Sequence, residues 1–251
     1  MPVDPQRWAG DMSARRTRHW TDLSDSGVKT RRIKNNSNWR IEGDIWRPSN
    51  PRALLATGAP PFWVGQFDFE FWAQDGPAQC AFGDATDPDN RCMVGVRSAG
   101  NRSPGVAPAL HWLNLKLVGA NPVSTSVSAD GKTVEWVEVL TNTTIRYVLH
   151  PAGLRLEIEF SAPGHPTTLQ WTAKKPASTQ FEYSDGGASV VFPDGDVVFT
   201  MPQPSGRATG DMFPGIGASL SDGGKSKGLQ VIDMAVDPDD LSGATYPVVV
   251  S

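Results

Sequence analysis

Leu154-Arg155-Leu156-Glu157-Ile158-Glu159-Phe160 places an apolar side chain at every second position and a charge at each position between. A period of two is that of a half-buried strand, with one face on a core and the other in water. Similar runs lie on both sides of it. They are separated by Asp130-Gly131, Asp185-Gly186-Gly187, Asp194-Gly195 and Asp222-Gly223-Gly224. Such dipeptides accept the positive φ that tight hairpins need, so the chain reads as antiparallel β.

The neighbouring strands pair in the same terms. Val123-Thr125-Val127 is expected to pair with Val134-Trp136 across Ala129 to Lys132, and Ile145-Tyr147-Leu149 with Leu154 to Phe160 across His150 to Gly153. Leu169-Trp171, Phe181-Tyr183, Val190-Phe192 and Val197-Phe199-Met201 follow. Ile216-Ala218-Leu220 with Leu229 to Val236 makes one more hairpin, and Tyr246 to Val250 ends the series. That last strand is apolar on both faces, so either its own sheet or a second subunit is expected to cover it. About a dozen short strands argue for an all-β fold, an antiparallel β-sandwich or jelly-roll-like body of one or two sandwiches.

Towards the N-terminus the pattern loosens. Asp4-Pro5 suits a helix start, and Trp8, Met12, His19 and Leu23 fall on one helical face, so a short helix between Pro5 and Trp20 is one expectation for an extended or partly helical arm. Gly27 to Asn38 is basic and extended. Trp39-Arg40-Ile41-Glu42-Gly43-Asp44-Ile45 then alternates as a strand and stops at Arg47-Pro48. Phe67, Phe69 and Phe71 are expected on one strand face, with Asp68 and Glu70 on the other. The expected organisation is an arm over 1–38, a first β-rich part with long loops over 39–121, and a second sandwich part over 122–251.

Residues 1–50 carry ten Lys/Arg against six Asp/Glu, although the whole chain has a net charge of −4. A basic arm on an acidic body suits docking onto an acidic neighbour or a second copy. Arg15, Arg16, Arg18, Arg31, Arg32 and Lys34 are therefore the candidate partner-binding residues. They lack any nucleic-acid recognition module, so no nucleic acid is expected as a partner. Met1 to Trp8 has no apolar core of a signal peptide after it, and no run approaches the length of a membrane span.

Two phrases carry a resemblance. Phe192-Pro193-Asp194-Gly195-Asp196-Val197-Val198-Phe199 is one. Leu229-Gln230-Val231-Ile232-Asp233-Met234-Ala235-Val236 with Leu241-Ser242-Gly243-Ala244-Thr245-Tyr246-Pro247-Val248-Val249-Val250 is the other. Over roughly residues 165–251 they resemble a β-rich segment of tailed-bacteriophage tail and virion-surface proteins, and a segment of Rhs/YD-repeat-associated surface proteins. Those chains run on from Tyr-Pro-Val into Asp-Pro and a further domain, where Ser251 stands here. The resemblance implies a non-catalytic structural or adhesive module and transfers no functional residue.

The chemistry that remains is sparse. No phosphate loop, dinucleotide fingerprint, nucleophile elbow or zinc-protease motif is present. His19, His111, His150 and His165 have no metal-ligand spacing, and each reads as a surface or hairpin residue. Cys80 and Cys92 flank eleven residues that either close as a disulfide loop or stay reduced. Asp84, Asp87, Asp89 and Asn90 in that loop read as a solvated turn, with calcium as the alternative, although the EF-hand spacing is absent.

Gln66-Phe67-Asp68-Phe69-Glu70-Phe71 resembles the strand motif of laminarinase-like retaining glycoside hydrolases. The resemblance puts Gln66 at the nucleophile position, Asp68 at the assisting carboxylate and Glu70 at the acid/base. An amide is a poor nucleophile, so a relative with Gln66 is expected to be inactive. Trp39, Trp46, Trp63 and Trp72 are candidate sugar-stacking residues on that reading, and core or interface residues on the other.

The expectation is a non-enzymatic structural protein of a tailed-phage virion, in the tail, neck, fibre or capsid surface, assembled in the host cytoplasm. It is expected to need no cofactor and no metal. Its expected partners are other virion proteins and copies of itself, with a host surface glycan as a further partner. The alternative is a carbohydrate-binding module or a degenerate laminarinase-like glycoside hydrolase.

Overall fold

The structure is a computed structural model. It describes residues 53, 69–73, 78–84, 86–98, 112–150, 153–213 and 215–251, and the backbone of the strands between residues 15 and 55. Its regular structure is almost wholly strand. The N-terminal strands are β1 (Arg15–Arg16), β2 (Trp20–Asp25), β3 (Val28–Ile33), β4 (Asn38–Glu42), β5 (Ile45–Pro48) and β6 (Leu54–Leu55). Next come β7 (Phe69–Ala73), β8 (Ala78–Gly83), β9 (Met93–Ser98), β10 (Trp112–Leu117), β11 (Thr125–Val127), β12 (Thr133–Leu140), β13 (Thr143–His150) and β14 (Gly153–Phe160). The remainder are β15 (Thr168–Lys174), β16 (Gln180–Ser184), β17 (Gly187–Val191), β18 (Val197–Met201), β19 (Ser205–Ala208), β20 (Ile216–Ser226), β21 (Leu229–Val236) and β22 (Val248–Val250). One helical turn, α1 (Pro238–Leu241), precedes β22.

Fourteen strands form one antiparallel sheet in the order β11-β12-β13-β14-β22-β19-β20-β21-β15-β10-β9-β8-β7-β6. The eleven-residue β20 divides it. Its first residues, Ile216 and Gly217, pair with β19, and from Ala218 onwards it pairs with β21. A strand that changes partners in this way turns a sheet corner. The back half, β11–β14 with β22 and β19, thereby folds over the front half, β21, β15 and β10 to β6. Phe82 from the front packs on Trp136 and Tyr147 from the back at centroid distances of 6.5 and 5.9 Å. The front half takes strands from both sides of the boundary expected near residue 121, since β10 pairs with β15. The body is thus a sandwich made from one bent sheet, and that sheet crosses the expected division.

A separate meander, β16-β17-β18, packs beside the back half on the same face of the front half. The register shows why one face serves both. Leu113, Leu115 and Leu117 alternate along β10, opposite Val96 and Val94 of β9. Leu117 joins the core shared with the back half, Leu113 joins the core under the meander, and Leu115 touches both. Alternate residues share a sheet face, so the two cores are neighbours along the strands rather than layers on opposite sides.

Several expected pairings hold. β11 pairs with β12 with Thr125 opposite Trp136, and β13 pairs with β14 from Thr143–Phe160 to His150–Gly153. Asp185-Gly186 makes a two-residue hairpin, with both residues at positive φ. Other expectations are corrected. Asp222-Gly223-Gly224 is a bulge within β20, where Asp222 Oδ1 accepts the Gly224 N–H at 2.8 Å. The turn itself comes at Lys227-Gly228, φ 49° and 81°, as a primed hairpin turn requires. Two paired strands, β4 and β5, replace the single strand expected over Trp39–Ile45. Arg15–Arg16 is strand, paired with β2, where a helix is expected; residues 1–14 lie outside the described residues. A bulge in β7 sets Phe69 opposite Gly83 and Phe71 opposite its neighbour Phe82. Phe69 and Phe71 therefore leave opposite faces, and the expected aromatic stripe is broken.

Gly83 shows how tightly the 84–92 loop returns. A Cβ there would collide with the Asn90 carbonyl oxygen, which already accepts the Met93 N–H at 3.1 Å. Gly83→Ala is expected to cost about 1–3 kcal/mol, because the obstacle is backbone and cannot swing away. Gly215→Ala, with nothing within 4 Å of the added methyl, is expected to stay within about 0.5 kcal/mol, and urea titration of both variants checks the difference.

Candidate functional site

The candidate residues fall into four places. In the N-terminal sheet β1-β2-β3, the register sets Arg15 opposite Asp22 and Asp22 opposite Arg31. The adjacent row runs Arg16, Thr21, Arg32. The backbone thus gathers four of the six basic candidates into two neighbouring rows. Arg18 and Lys34 lie outside the described residues.

Of the candidate tryptophans in described strands, Trp39 and Trp46 fall on the two-stranded β4–β5 sheet and Trp72 on the fourteen-stranded one. Trp39 pairs with Arg47 and Trp46 with Arg40 on the β4–β5 ribbon, and Trp63 is outside the described residues. Trp72 lies in the row Trp72, Ala81, Gly95, Asn114, on the front-half face opposite the core. It is only 6% exposed, and Asn114 only 3%. A buried indole offers no open face for a sugar ring. Glu70 sits half-buried at the β7 bulge, and Gln66 and Asp68 are outside the described residues.

The cysteine loop is held by its own groups. Asp84 Oδ1 accepts from the Thr86 N–H and hydroxyl, and Asp87 accepts from the Asp89 N–H and the Asn90 amide. The bonds from Asp89 and Asn90 favour the charged form of Asp87 and hold its carboxyl below its ordinary value. The Lys116 ammonium donates to the Pro88 and Asp89 carbonyls at 2.9 and 2.8 Å. The arrangement is a turn built on side-chain caps, with a lysine as its cation.

Cys80 and Cys92 are free thiols, both buried, and burial pushes each to about 12. In the unfolded chain such thiols ionise near 9.0, so the unfolded state loses its protons first. Their contribution to stability is therefore whole below pH 9 and is lost as pH rises towards about 12. Stability measured in urea is expected to fall across that window, and Cys80→Ala with Cys92→Ala to flatten the fall. The same two thiols are expected to ignore a thiol reagent at pH 8 until the chain is unfolded.

The remaining titratable groups support the packing. Arg146 donates to Glu135 and, at 2.7 Å, to Glu159, tying β12, β13 and β14 together across the outer face. Glu157 pairs with Arg155 at 2.6 Å. His165 is buried, in contrast to the surface or hairpin position expected for it. It stacks on Phe160 at 3.9 Å and lies 3.0 Å from both the Pro166 carbonyl and the Tyr246 hydroxyl. A carbonyl only accepts, so Nδ1 carries the proton, and in the neutral ring Nε2 accepts from Tyr246. His19 and His111 lie outside the described residues, and His150 is exposed at the end of β13.

One feature escapes the period-two reading. Met212 and Phe213, in the loop between β19 and β20, are 85% and 77% exposed, far above any other large apolar residue described. The signal for it is the pair of large apolar residues between Gly210 and Pro214-Gly215, a loop setting where no strand pattern claims them.

No family model, curated protein or solved structure matches the chain.

Proposed function

We propose that this chain is a non-enzymatic structural component of a tailed-phage virion, in the tail, neck, fibre or capsid surface, acting through contacts between subunits. What carries the reading is the use made of its reactive groups. The described thiols are buried, His165 is stacked and hydrogen-bonded, and the paired carboxylates of β12 and β14 are bound by Arg146. Groups so committed serve rigidity, and among the described residues what is left exposed and distinctive is Met212-Phe213, a surface for contact; the register of β1–β3 adds two rows that carry Arg15 and Arg31, and Arg16 and Arg32. The two resembling phrases also fall on integral parts of the body, the β17–β18 turn, β21 and β22.

Removal of residues 1–38 tests the reading. Strands β1–β3 form their own sheet, unpaired with the fourteen-stranded one, so the body is expected to keep its melting temperature. Incorporation into particles of the phage that encodes the chain should be lost. Unimpaired incorporation contradicts the proposal. So does glycan binding by the isolated chain that disappears on Trp→Ala substitution, or β-glucan turnover that disappears on Glu70→Gln.

A further inference from the structure

The Met212-Phe213 tip rests on a fixed base. The Thr209 N–H is shared between the Thr245 and Pro247 carbonyls at 3.2 and 3.0 Å, and its hydroxyl donates to Pro247 at 2.8 Å. The Asp211 N–H donates to Ala208 at 3.2 Å, and the Gly215 N–H to Gly206 at 3.0 Å. Two large apolar side chains are thus presented on a pre-organised loop, the arrangement in which Phe and Met contribute most at an interface.

Along the chain from Ala208 to Gly224 the charge has one sign. Asp211 adjoins the tip. The α1 turn, with Asp237, Asp239 and Asp240 all exposed, is tied to the start of β20: the Gly217 N–H donates to Asp240 Oδ2 at 2.7 Å, and the Asp237 N–H to the Gly217 carbonyl at 2.9 Å. Gly217 is four positions beyond Phe213, so at most about 14 Å of chain lies between the tip and the residue to which the acids are tied. Residues 208–224 and 237–251 contain no Lys or Arg, and Arg207 on the β19 stem is the nearest in sequence. Residues 51–251 hold 13 Lys/Arg (23 − 10) against 21 Asp/Glu (27 − 6), whereas residues 1–50 hold ten against six.

We infer that the Met212-Phe213 loop and its acidic flank form a docking surface for the basic N-terminal region of a second copy of this chain. The inference rests on the subunit-contact reading above and names the two surfaces that meet. Opposite charges at the two ends of one chain make a head-to-tail contact, which builds rings or filaments rather than a closed two-fold pair. The same acids disfavour an anionic lipid surface as the occupant.

Sedimentation of the full chain tests it. Self-association is expected at low ionic strength and should weaken as salt screens the charges. Met212→Ser with Phe213→Ser is expected to weaken it at least about tenfold while leaving the melting temperature unchanged, because both side chains stand in solvent. Asp239→Lys, and separately Arg31→Glu with Arg32→Glu, should each weaken it as well. Association indifferent to all three variants overturns the surface and leaves the subunit-contact reading standing. A chain that stays monomeric at every concentration overturns the self-docking itself. Flotation with neutral or anionic phospholipid vesicles that is lost in the Met212→Ser, Phe213→Ser variant makes the tip a membrane contact and overturns the inference.

Discussion

Val250→Asp is expected to unfold the body. Strand β22 is the last in sequence but lies inside the sheet, paired with β14 on one side and β19 on the other. Val248 and Val250 are both 0% exposed, and Val250 stands between Ile158 and Gly206. A Cβ on Gly206 would approach Val250 Cγ2 to 3.0 Å, so the glycine is what allows the valine to fit. A carboxylate there would have neither water nor a partner. The cost is several kcal/mol, comparable with the roughly 5–15 kcal/mol that holds a domain folded. Val249→Lys is the control. Val249 faces the other side of the sheet, in the row of Glu159 and Arg207, and its replacement should shift stability by no more than about 1 kcal/mol. Circular dichroism with urea unfolding separates the two, and a folded, cooperative Val250→Asp would refute the placement of β22.

Trp136→Ala is expected to have the next largest effect. The ring is 0% exposed, meets Tyr147 at 5.5 Å and Phe82 at 6.5 Å, and donates its indole N–H to Thr125 Oγ1 at 3.1 Å. Phe82 belongs to the front half and the others to the back half, so the substitution opens the joint between them. The expected loss is about 3–5 kcal/mol, or roughly 6–20 °C in melting temperature for a chain of this size. Trp136→Phe keeps most of the contact and loses the hydrogen bond, for about 1–2 kcal/mol. A Trp136→Ala protein that melts within a degree or two of the parent would mean that the halves do not meet there.

These two residues also show what was legible in the sequence. Trp136 is readable: it alternates with Val134, faces Thr125 across a tight turn, and is expected in a core strand. Local period and turn chemistry likewise give β13 and β14 with their register, because the connection between them is short. The place of β22 is not readable. Val248 to Val250 shows that the strand is covered on both sides, but the choice between its own sheet and a second subunit depends on pairing with strands some 40 and 90 residues earlier in the chain. Bulges defeat the period for a similar reason. Asp222-Gly223-Gly224 has the composition of a turn, yet β21 stays paired on both sides of it and the chain reverses only at Lys227-Gly228. Phe69 and Phe71 lose their shared face to one extra residue in β7.

The candidate site was legible as charge and little more. Ten basic residues against six acidic ones set the first fifty residues apart from the rest of the chain, which holds 13 against 21. Nothing local announces the tie between the α1 acids and β20, because Asp240 reaches the Gly217 N–H only through the fold. Trp72, opposite Ala81, is only 6% exposed, which accords with packing, the other alternative for the tryptophans, rather than with sugar stacking.

The central claim, that this body exists to be held between subunits of a particle, is tested most directly by locating the chain. Under the proposed function, purified phage particles, analysed by quantitative mass spectrometry and labelled with an antibody against residues 209–215, should contain it at a fixed copy number and at one symmetric position. Particles free of the chain, with all of it recovered as a soluble monomer from the infected cell, would contradict the account.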